Sequence, residues 1–400
     1  MLEVKTLAQV NQIIADRFGH LRTVNENSTL QSALGRRLSQ DILSNEYVPN
    51  FNRSTVDGFA VISADVFGSS ESIPAILTLA GQSVMGEHNP LELQRGTCVY
   101  VPTGGELPEG ADAVVMLEYA EDYGDGTIGV LKPGTPGVNL IFKGDDLKPG
   151  QIIYQQGHKL DAADIGTLSA LGFTDVPVWR SPLIGLISTG DELVEPGKPI
   201  SMGQIRDVND PMLTAALAKC GARAHSYGIL KDDPEAIREV ILEAIEVCDG
   251  LIITGGTSVG IQDTIPDLVS ELGSLLVHGV AAKPGKPTLV GAIREKPVFG
   301  LPGNPVAAFF MFLILMKPLI DSMMSGYSEE IQLSMPLTIA VPSNHGREDL
   351  LPVQIENGQA KPIIGKSGLV TTLSNAGGYI RIPRDKEGLR KGELVDVILF

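Results

Sequence analysis

The sequence predicts a multidomain α/β protein whose central part is a parallel sheet flanked by helices. The chain has 400 residues, 43% of them hydrophobic, which is more than one compact domain usually needs. Apolar strand-like runs alternate with helical patterns over residues 178–327, the order expected for parallel strands joined by right-handed crossovers. Strand-like runs without intervening helices precede and follow this region.

Changes in composition and in hydrophobic pattern along the chain divide it into four predicted domains. The predicted ranges are 1–47 with 141–177 for a discontinuous helical N-terminal domain, 48–140 for a β-rich insert domain, 178–327 for the α/β domain, and 328–400 for a C-terminal β-barrel domain. The discontinuity follows from "DAADIGTLSALG", a helical pattern that returns the chain to its first helices after the insert.

Composition narrows the classes of partner. A net charge of -17 argues against a general nucleic-acid binder or an anionic-membrane binder, because both need a basic surface. The three cysteines, Cys98, Cys220 and Cys248, are too few and too widely spaced for a disulfide framework. With no signal-peptide pattern at the start, we expect a cytoplasmic protein. The apolar run 306–316 is expected to be a core helix, too short to span a bilayer of ~30 Å.

The elements of the central domain follow one another as strand, helix, strand. Residues 182–189 read as a strand, and Asn209 is the predicted cap of the next helix. A second strand at 223–230 leads to a helix that Asp233 is expected to cap, and the chain returns as the strand 251–254. Loops at the carboxyl ends of parallel strands meet at one edge, where open α/β sheets bind ligands.

The glycine turn after the strand 251–254 is the first candidate binding loop. Its backbone N–H groups and two hydroxyls suit a phosphate, although paired glycines after a strand also form simple tight turns. The residues of this loop selected as ligand-binding are Gly255, Gly256, Thr257, Ser258 and Gly260.

Two further loops are expected at the same edge. In "GLPGNP", Pro302 and Gly303 precede Asn304, which is predicted to cap a helix whose N-terminus attracts anions. In "KPGKP", Lys283 and Lys286 lie on a proline-stiffened loop where they can meet an anion, or they are solvated like most surface lysines.

Acidic residues supply a candidate Mg²⁺ site. Glu192 and Asp263, with Asp232 or Asp233 nearby, offer the hard oxygen ligands that Mg²⁺ shares with phosphate and water. Helix capping is the alternative role for each, and Asp233, which precedes a proline, is the clearest cap.

At this point the sequence resembles a known family. The motifs that carry the resemblance are "STGDEL", "DDP", "GGTSVG" followed by Asp263, "KPGKP", "GLPGNP", "FNRSTVDGFAV" and "VPTGGELPEGADAVVMLE". These motifs, which follow one another along the chain in the same order as in the family, are similar to those of the molybdopterin molybdenumtransferases, called MoeA in bacteria and the E domain of gephyrin in animals. The resemblance covers nearly the whole chain and implies a four-domain fold with a central three-layer, MogA-like, molybdenum-cofactor-binding domain.

The resemblance also implies an activity. Enzymes of this family insert molybdate into adenylylated molybdopterin and release AMP in a reaction that uses Mg²⁺. The implied assembly is an elongated homodimer with its active site shared between subunits, in transient contact with the adenylyltransferase of the pathway. No residue distinguishes molybdate from tungstate.

Residue roles carry over by matching positions. The implied catalytic residues are Asp57, Thr103, Glu192, Asp232, Asp263, Lys283 and Lys286, with Asp57 and Thr103 coming from the neighbouring subunit. The implied cofactor-binding residues are Gly255, Gly256, Thr257, Ser258, Gly260, Pro302, Gly303, Asn304, Arg347 and Ser367. Glu192 and Asp263 are the implied metal ligands. For Arg347 and Ser367, a solvated rim is the alternative.

The sequence departs from the family pattern at one position, and two alternative functions stay open. Gly279 stands where relatives carry a basic residue, so a cationic contact is missing or is supplied by another residue such as Arg206. A non-catalytic scaffold and a nucleotide pyrophosphatase on the same fold are the alternative functions. The acids, the lysine loop and the glycine turn weigh against a scaffold, which needs no cation site facing a phosphate cradle.

Overall fold

The computed structural model describes residues 4–255, 264–327, 330–365 and 371–400. The helices, in chain order, are Leu7–Phe18 (α1), Leu30–Ala33 (α2), Ala162–Ala170 (α3), Asn209–Lys219 (α4), Pro234–Val247 (α5), Thr264–Leu272 (α6), Pro305–Met311 (α7), Lys317–Met323 (α8) and Thr371–Ser374 (α9), with 3-10 turns at Ser63–Asp65 and Leu117–Tyr119 and a π-helical segment at Phe312–Met316.

The strands follow the same order. They are Asn25–Thr29 (β1), Ile42–Leu43 (β2), Arg53–Ser54 (β3), Gly58–Val61 (β4), Ala75–Gln82 (β5), Thr97–Val101 (β6), Ala113–Met116 (β7), Ala120–Asp122 (β8), Thr127–Val130 (β9), Leu140–Ile141 (β10), Ile152–Tyr154 (β11), Asp175–Trp179 (β12), Leu183–Thr189 (β13), Leu193–Val194 (β14), Ile205–Arg206 (β15), Arg223–Leu230 (β16), Gly250–Thr254 (β17), Ser274–His278 (β18), Ala282–Lys283 (β19), Leu289–Ile293 (β20), Lys296–Leu301 (β21), Gln332–Pro336 (β22), Val341–Pro342 (β23), Glu348–Glu356 (β24), Gln359–Pro362 (β25), Gly378–Ile382 (β26), Gly388–Leu389 (β27) and Leu394–Leu399 (β28).

The chain forms two compact units. The larger consists of residues 1–40, 156–165 and 175–400, and the smaller of residues 41–155 and 166–174. The four domain ranges expected from the sequence divide the chain more finely than this, and their boundaries stay a prediction.

The larger unit is built on a six-stranded sheet with the order β16-β13-β17-β21-β20-β18. The strands β16, β13, β17 and β21 are parallel, as predicted, but β20 is antiparallel to both of its neighbours. The prediction of a wholly parallel sheet is therefore wrong at β20. Arg294 and Glu295 both have positive φ and form a two-residue hairpin turn between β20 and β21. Such turns usually carry Asn or Gly, so the sequence does not signal this one.

Helices cover both faces of the sheet and make the three predicted layers. Along β17, Leu251 and Ile253 pack with α5 and α6, whereas Ile252 packs on the opposite face with α4 and α7. This alternation follows from the two-residue period of a strand. Because helices cover both faces of the sheet, its loops reach solvent at the two ends of the strands.

The apolar run of the larger unit is longer than the sequence predicted. Among the described residues, one helix is long and apolar enough to cross a membrane, Pro305–Met323, with 19 residues and a mean hydropathy of 1.8. In its most apolar 18-residue window, 72% of the residues are buried, because α7, the π-helical segment and α8 pack into the main core. The prediction of a core helix is confirmed, but the expectation that it is too short to span a bilayer is wrong.

The first forty residues pack within the larger unit. Helix α1 begins with a capping box between Thr6 and Gln9, and buries Leu7, Val10 and Phe18. Strand β1 pairs antiparallel with β12. The chain therefore returns to its first segment through strand β12, whereas residues 166–172 of the predicted helical pattern belong to the smaller unit.

The C-terminal strands curl into a barrel. The order β24-β26-β28-β22 is continuous, and β25 pairs with the other edge of β24. A parallel bridge between Leu337 and Ala360 joins the end of β22 to β25 and closes the ring. Of the strand-like run at 336–342, β22 includes only Pro336, and only Val341–Pro342 pair again as β23.

The smaller unit contains the predicted β-rich insert. Its sheet has the order β7-β4-β6-β5-β9-β8. The apolar side chains of Val61, Cys98, Val115 and Ile128 fill one of its cores. Burial raises the pKa of the Cys98 thiol to about 12, so this cysteine is an inert core residue.

A buried carboxylate holds α8 to the first segment of the larger unit. Asp321 is only 3% exposed, and its Oδ1 accepts a hydrogen bond from the Arg37 guanidinium at 2.9 Å. Its Oδ2 accepts one from Lys317 Nζ at 3.1 Å. Arg37 also donates to the carbonyl oxygens of Gly157 and Tyr327, so one ionic group joins four segments.

We expect Asp321→Ala to lower the free energy of unfolding by about 3–5 kcal/mol, because it leaves the Arg37 and Lys317 cations uncompensated. The change is measured by urea denaturation followed by circular dichroism. Asp385→Ala, at an exposed acid, is the matched control and should leave the midpoint unchanged. Equal midpoints for the two variants would show that the buried charges do not hold these segments together.

Candidate functional site

Acidic side chains gather where β13 and β16 end. Glu192 follows β13 by three residues, and its carboxylate lies over Gly190, where an added Cβ would be 2.8 Å from Oε2. The Glu192 carbonyl accepts a hydrogen bond from the N–H of Ile205 at 2.8 Å, which fixes this turn. Gly190 N–H in turn bonds the carbonyl of Leu230, the last residue of β16, at 3.2 Å. The loop that carries Asp232 is thus tied to the loop that carries Glu192.

The charges of this group influence one another. Partial burial raises the pKa of Asp232, and the neighbouring carboxylates of Asp191 and Glu192 raise it further. A backbone hydrogen bond from Asp191 opposes the shift. The structure therefore brings the predicted Glu192 and Asp232 together and adds Asp191, which was not among the predicted site residues. The sequence signal for Asp191 was its place beside Glu192 after the same strand.

Gly255 begins the glycine turn at the end of β17, and only glycine fits there. Its φ is +91°, and a Cβ would lie 2.2 Å from the carbonyl oxygen of Thr189. The Thr189 hydroxyl donates to the Thr254 carbonyl at 3.3 Å, which ties the ends of β13 and β17. The predicted residues Gly256, Thr257, Ser258, Gly260 and Asp263 lie outside the described residues.

The loop after β21 lies against this turn. Pro302 is buried, whereas Gly303 and Asn304 are exposed, and a Cβ on Gly303 would be 3.9 Å from the Cα of Gly255. Asn304 occupies the N-cap position of α7, as predicted, and its carbonyl accepts from Ala308 N–H. Its side chain makes no capping hydrogen bond, so that part of the prediction is wrong. The Asn304 carboxamide is not committed to the helix.

Asn209 contacts this loop, and its predicted role is also wrong. Asp207, not Asn209, caps α4: its Oδ1 accepts from the N–H groups of Asn209 and Asp210 at 2.9 and 3.2 Å. Asn209 lies inside the first turn and donates from Nδ2 to the Gly303 carbonyl at 2.9 Å. Sequence alone shows two acids, Asp207 and Asp210, and one amide near a helix start and does not tell which of them caps it.

The lysine loop lies at the far side of the same sheet edge. β16 and β18 are the outer strands of this sheet; the acids follow β13 and β16, whereas the "KPGKP" loop connects β18 to its neighbour β20. Lys283 pairs in β19 with Asp349 of β24, and its Nζ lies 3.1 Å from Asp349 Oδ2. Lys286 is exposed and accepts from Val280 N–H through its carbonyl. Both lysines are accessible, but only Lys283 has an ion pair among the described residues.

The other residues that the sequence suggested as ligand contacts lie in different environments. Arg347 is half-buried and directly precedes β24, whereas Ser367 lies outside the described residues. Burial raises the pKa of the neighbouring Glu348 carboxyl, against the effect of Arg381. Arg206, considered as a substitute for the missing base at Gly279, donates to the carbonyl of Lys198 at 3.2 Å.

Two predicted residues meet in the smaller unit. The Oδ1 of Asp57 accepts a hydrogen bond from Thr103 N–H at 2.8 Å, and both residues are exposed. Gly104 N–H donates to the Ser54 carbonyl at 2.8 Å beside them. The motifs "STVDGF" and "VPTGG" are therefore one surface feature, although 46 residues separate Asp57 from Thr103.

The acids were predicted to bind a divalent cation. Within the part of the chain that the structure describes, no three His, Cys, Asp or Glu side chains form a ready metal-binding group. Mg²⁺ needs fewer protein ligands than that, since it commonly uses one or two carboxylates with substrate phosphates and water. Burial raises the pKa of Asp232, and the charges of Asp191 and Glu192 raise it further; a bound cation would oppose both effects.

Comparison with known proteins agrees with this architecture. Three family models match: the MoeA N-terminal region (domain I and II) over residues 5–172, a probable molybdopterin binding domain over residues 185–322, and the MoeA C-terminal region (domain IV) over residues 334–400. A crystal structure of the molybdopterin biosynthesis MoeA protein from Pyrococcus horikoshii OT3 is similar over 100% of both chains, with a TM-score of 0.88 and 32% identity.

Related sequences span the whole chain. A putative molybdopterin biosynthesis protein of Methanocaldococcus jannaschii is 36% identical over 383 residues, 92% of this chain and 90% of the relative. The molybdopterin molybdenumtransferase of Bacillus subtilis is 31% identical over 412 residues, 100% of this chain and 96% of the relative. The resemblance seen in the sequence motifs is confirmed, as is the multidomain α/β fold with a MogA-like centre: the chain belongs to the MoeA family of molybdopterin molybdenumtransferases.

Proposed function

We propose that this protein inserts molybdate into adenylylated molybdopterin and releases AMP in a Mg²⁺-dependent reaction. Membership of the family makes the chain a transferase of molybdenum cofactor biosynthesis, and its named relatives support molybdenum insertion into molybdopterin. The adenylylated substrate, the release of AMP and the need for Mg²⁺ are the finer parts of the proposal. The observation that supports the proposal is that the acids, the start of the glycine turn and the loop after β21 (residues 302–304) lie along one edge of the sheet.

The arrangement suits a long anionic substrate. The acids follow β13 and β16 at one side of the edge, and the lysine loop connects β18 and β20 at the other side. We propose that the phosphoanhydride binds over the glycine turn beginning at Gly255, and that Lys283 and Lys286 bind anionic groups at the other end. Dithiolene, pyrophosphate and molybdate are all anionic, so cations and oriented N–H groups must offset their repulsion.

We propose that Glu192, together with Asp263, holds Mg²⁺ and that Asp232 helps to bind the cation or orient the pyrophosphate. When bound, the cation would neutralise charge on the phosphoanhydride as AMP leaves. Chemistry of this kind depends on positioning and electrostatics more than on a nucleophile. The Asn304 carboxamide, which does not cap α7 and lies beside Pro302 and Gly303, can donate a hydrogen bond to the oxyanion. Arg347 and Ser367 are proposed contacts of the pterin or its phosphate.

The proposal extends to the assembly. Asp57 and Thr103 would act on the active site of the neighbouring subunit in a homodimer, and the two residues already share one hydrogen bond. The protein would work in the cytoplasm, receiving its substrate from the adenylyltransferase that precedes it. Tungstate matches molybdate closely in size and charge, and we expect it to compete for the same site.

The decisive experiment measures AMP release from adenylylated molybdopterin by the purified protein with Mg²⁺, with and without molybdate or tungstate. We expect release to depend on the oxyanion and the metal to end in the pterin. Oxyanion-independent release would instead identify a pyrophosphatase. Tight substrate binding without release would identify a scaffold.

We expect Asp232→Asn to have opposite effects on stability and activity. At neutral pH it removes a carboxylate whose charge is disfavoured by burial and by two neighbouring acids, so the melting temperature without divalent cation should rise. The wild-type protein relieves this repulsion itself when Asp232 is protonated, so the difference should vanish as the pH falls through the raised pKa. The Mg²⁺ concentration for half-maximal AMP release should increase by about 10-fold.

Asp233→Asn is the matched control for this prediction. Asp233 caps α5 by accepting from Glu235 N–H at 3.1 Å, and asparagine caps equally well. We expect unchanged stability and unchanged Mg²⁺ dependence. If the Asp232→Asn protein also keeps the wild-type Mg²⁺ dependence, Asp232 has no part in the cation site.

We expect Lys283→Ala to weaken the binding of adenylylated molybdopterin by ~1–3 kcal/mol, because a charge-assisted hydrogen bond is lost. The same change removes the cation beside Asp349, which is 7% exposed, so stability should also fall. Calorimetry gives the affinity and a thermal melt gives the stability.

The double variant Lys283→Ala, Asp349→Asn separates the two effects. Removing both charges should restore much of the stability and leave the affinity low. If the double variant binds as tightly as the wild-type protein, the loss in the single variant came from the unpaired Asp349 carboxylate and Lys283 does not contact the substrate.

A further inference from the structure

We propose that Asn209 is a positioning residue that holds the Gly303 loop, defined as residues 302–304, for binding of the oxyanion. Asn209 was predicted only as a helix cap, a role that Asp207 fills instead. The inference deepens the proposed function and rests on it, because the same loop is the proposed oxyanion site.

The contacts of Asn209 join two rigid parts of the larger unit. Its Nδ2 donates to the Gly303 carbonyl at 2.9 Å, and its backbone N–H donates to Asp207 Oδ1 at 2.9 Å. Helix α4 itself is anchored in the main core through Leu213 and Leu217. The Gly303 carbonyl is therefore bound to a helix that cannot easily move.

The Gly303 loop is exposed on one side. Gly303 and Asn304 are exposed, and the Asn304 side chain does not cap α7. Gly303 also approaches the Cα of Gly255, where a Cβ would leave only 3.9 Å. A shift of the loop would thus change both the orientation of the Asn304 carboxamide and the spacing between the two loops.

The energetics of Asn209 do not favour a purely structural role. The side chain is buried, with 6% of the residue exposed, and its Oδ1 has no hydrogen-bond partner among the described residues. A buried acceptor without a partner offsets most of what one neutral hydrogen bond contributes. An apolar residue of the same size would satisfy packing at least as well, but it would not hold the Gly303 carbonyl.

Asn209→Leu tests this assignment, because leucine has a similar size and removes both the donor and the unpartnered acceptor. We expect an unchanged melting temperature. The KM for molybdate should rise about tenfold, the effect of losing one hydrogen bond that orients a binding group. The KM for adenylylated molybdopterin should stay unchanged, because the acids and lysines remain in place. Amide hydrogen exchange over residues 303–308 should become faster.

Thr214→Ala, at an exposed position of the same helix, is the matched control and should match the wild-type protein in all four measurements. Asn209→Ala, which cannot clash, should reproduce the selective rise in the molybdate KM if leucine does not fit. A parallel rise of both KM values with a lower melting temperature would mean that Asn209 is only structural, and an unchanged molybdate KM would overturn the assignment. If the wild-type protein shows no molybdate-dependent turnover, the proposed function fails and this assignment falls with it.

Discussion

The close approach of Gly255 to the Thr189 carbonyl is the constraint on which the rest of the site depends. A Cβ at Gly255 would overlap that oxygen at 2.2 Å, so the ends of β13 and β17 come this near only with glycine there. Gly303 then packs beside Gly255, and Asn209 ties Gly303 to α4. The close backbone approach of Gly255 to Thr189 therefore brings the ends of β13 and β17 together, and the Asn209 side chain adds the tie between Gly303 and α4. Because helices cover both faces of the sheet, this edge is where its backbone groups meet solvent.

Charge is distributed along that edge rather than concentrated at one point. Asp191, Glu192 and Asp232 lie near one another at one side, where partial burial and then the charges of the other two acids raise the pKa of Asp232. Lys283 lies at the other side and is held by the buried Asp349. A chain with a net charge of -17 attracts anions only where such local groups outweigh the whole. Under the proposed function, the phosphoanhydride of the substrate would bind at one end of this edge and its further anionic groups at the other.

Several features of the site followed from strand order alone. The loops after β13, β16, β17 and β21 were expected at one edge because parallel strands end together, and the contacts of Gly190 and Gly255 agree with that. The same logic did not give the lateral order of the strands. The hairpin at Arg294 and Glu295 inserts β20 between β21 and β18, which moves the lysine loop away from the acids. Those two residues carry no turn signature, so the displacement was invisible in the sequence.

The sequence by itself determined the family, the central α/β pattern and the residue types at the strand ends, because periodicity and glycine, proline and acid positions are local properties of the chain. Only the tertiary structure decided which of those residues have partners. In the structure, Asp207 accepts the capping hydrogen bonds of α4, and Asn209 donates to Gly303 instead. The Asn304 side chain does not cap α7, and Lys283 forms an ion pair with Asp349. Each of these outcomes depends on where a distant segment lies, since a polar side chain binds whichever donor or acceptor packing brings within about 3 Å of it.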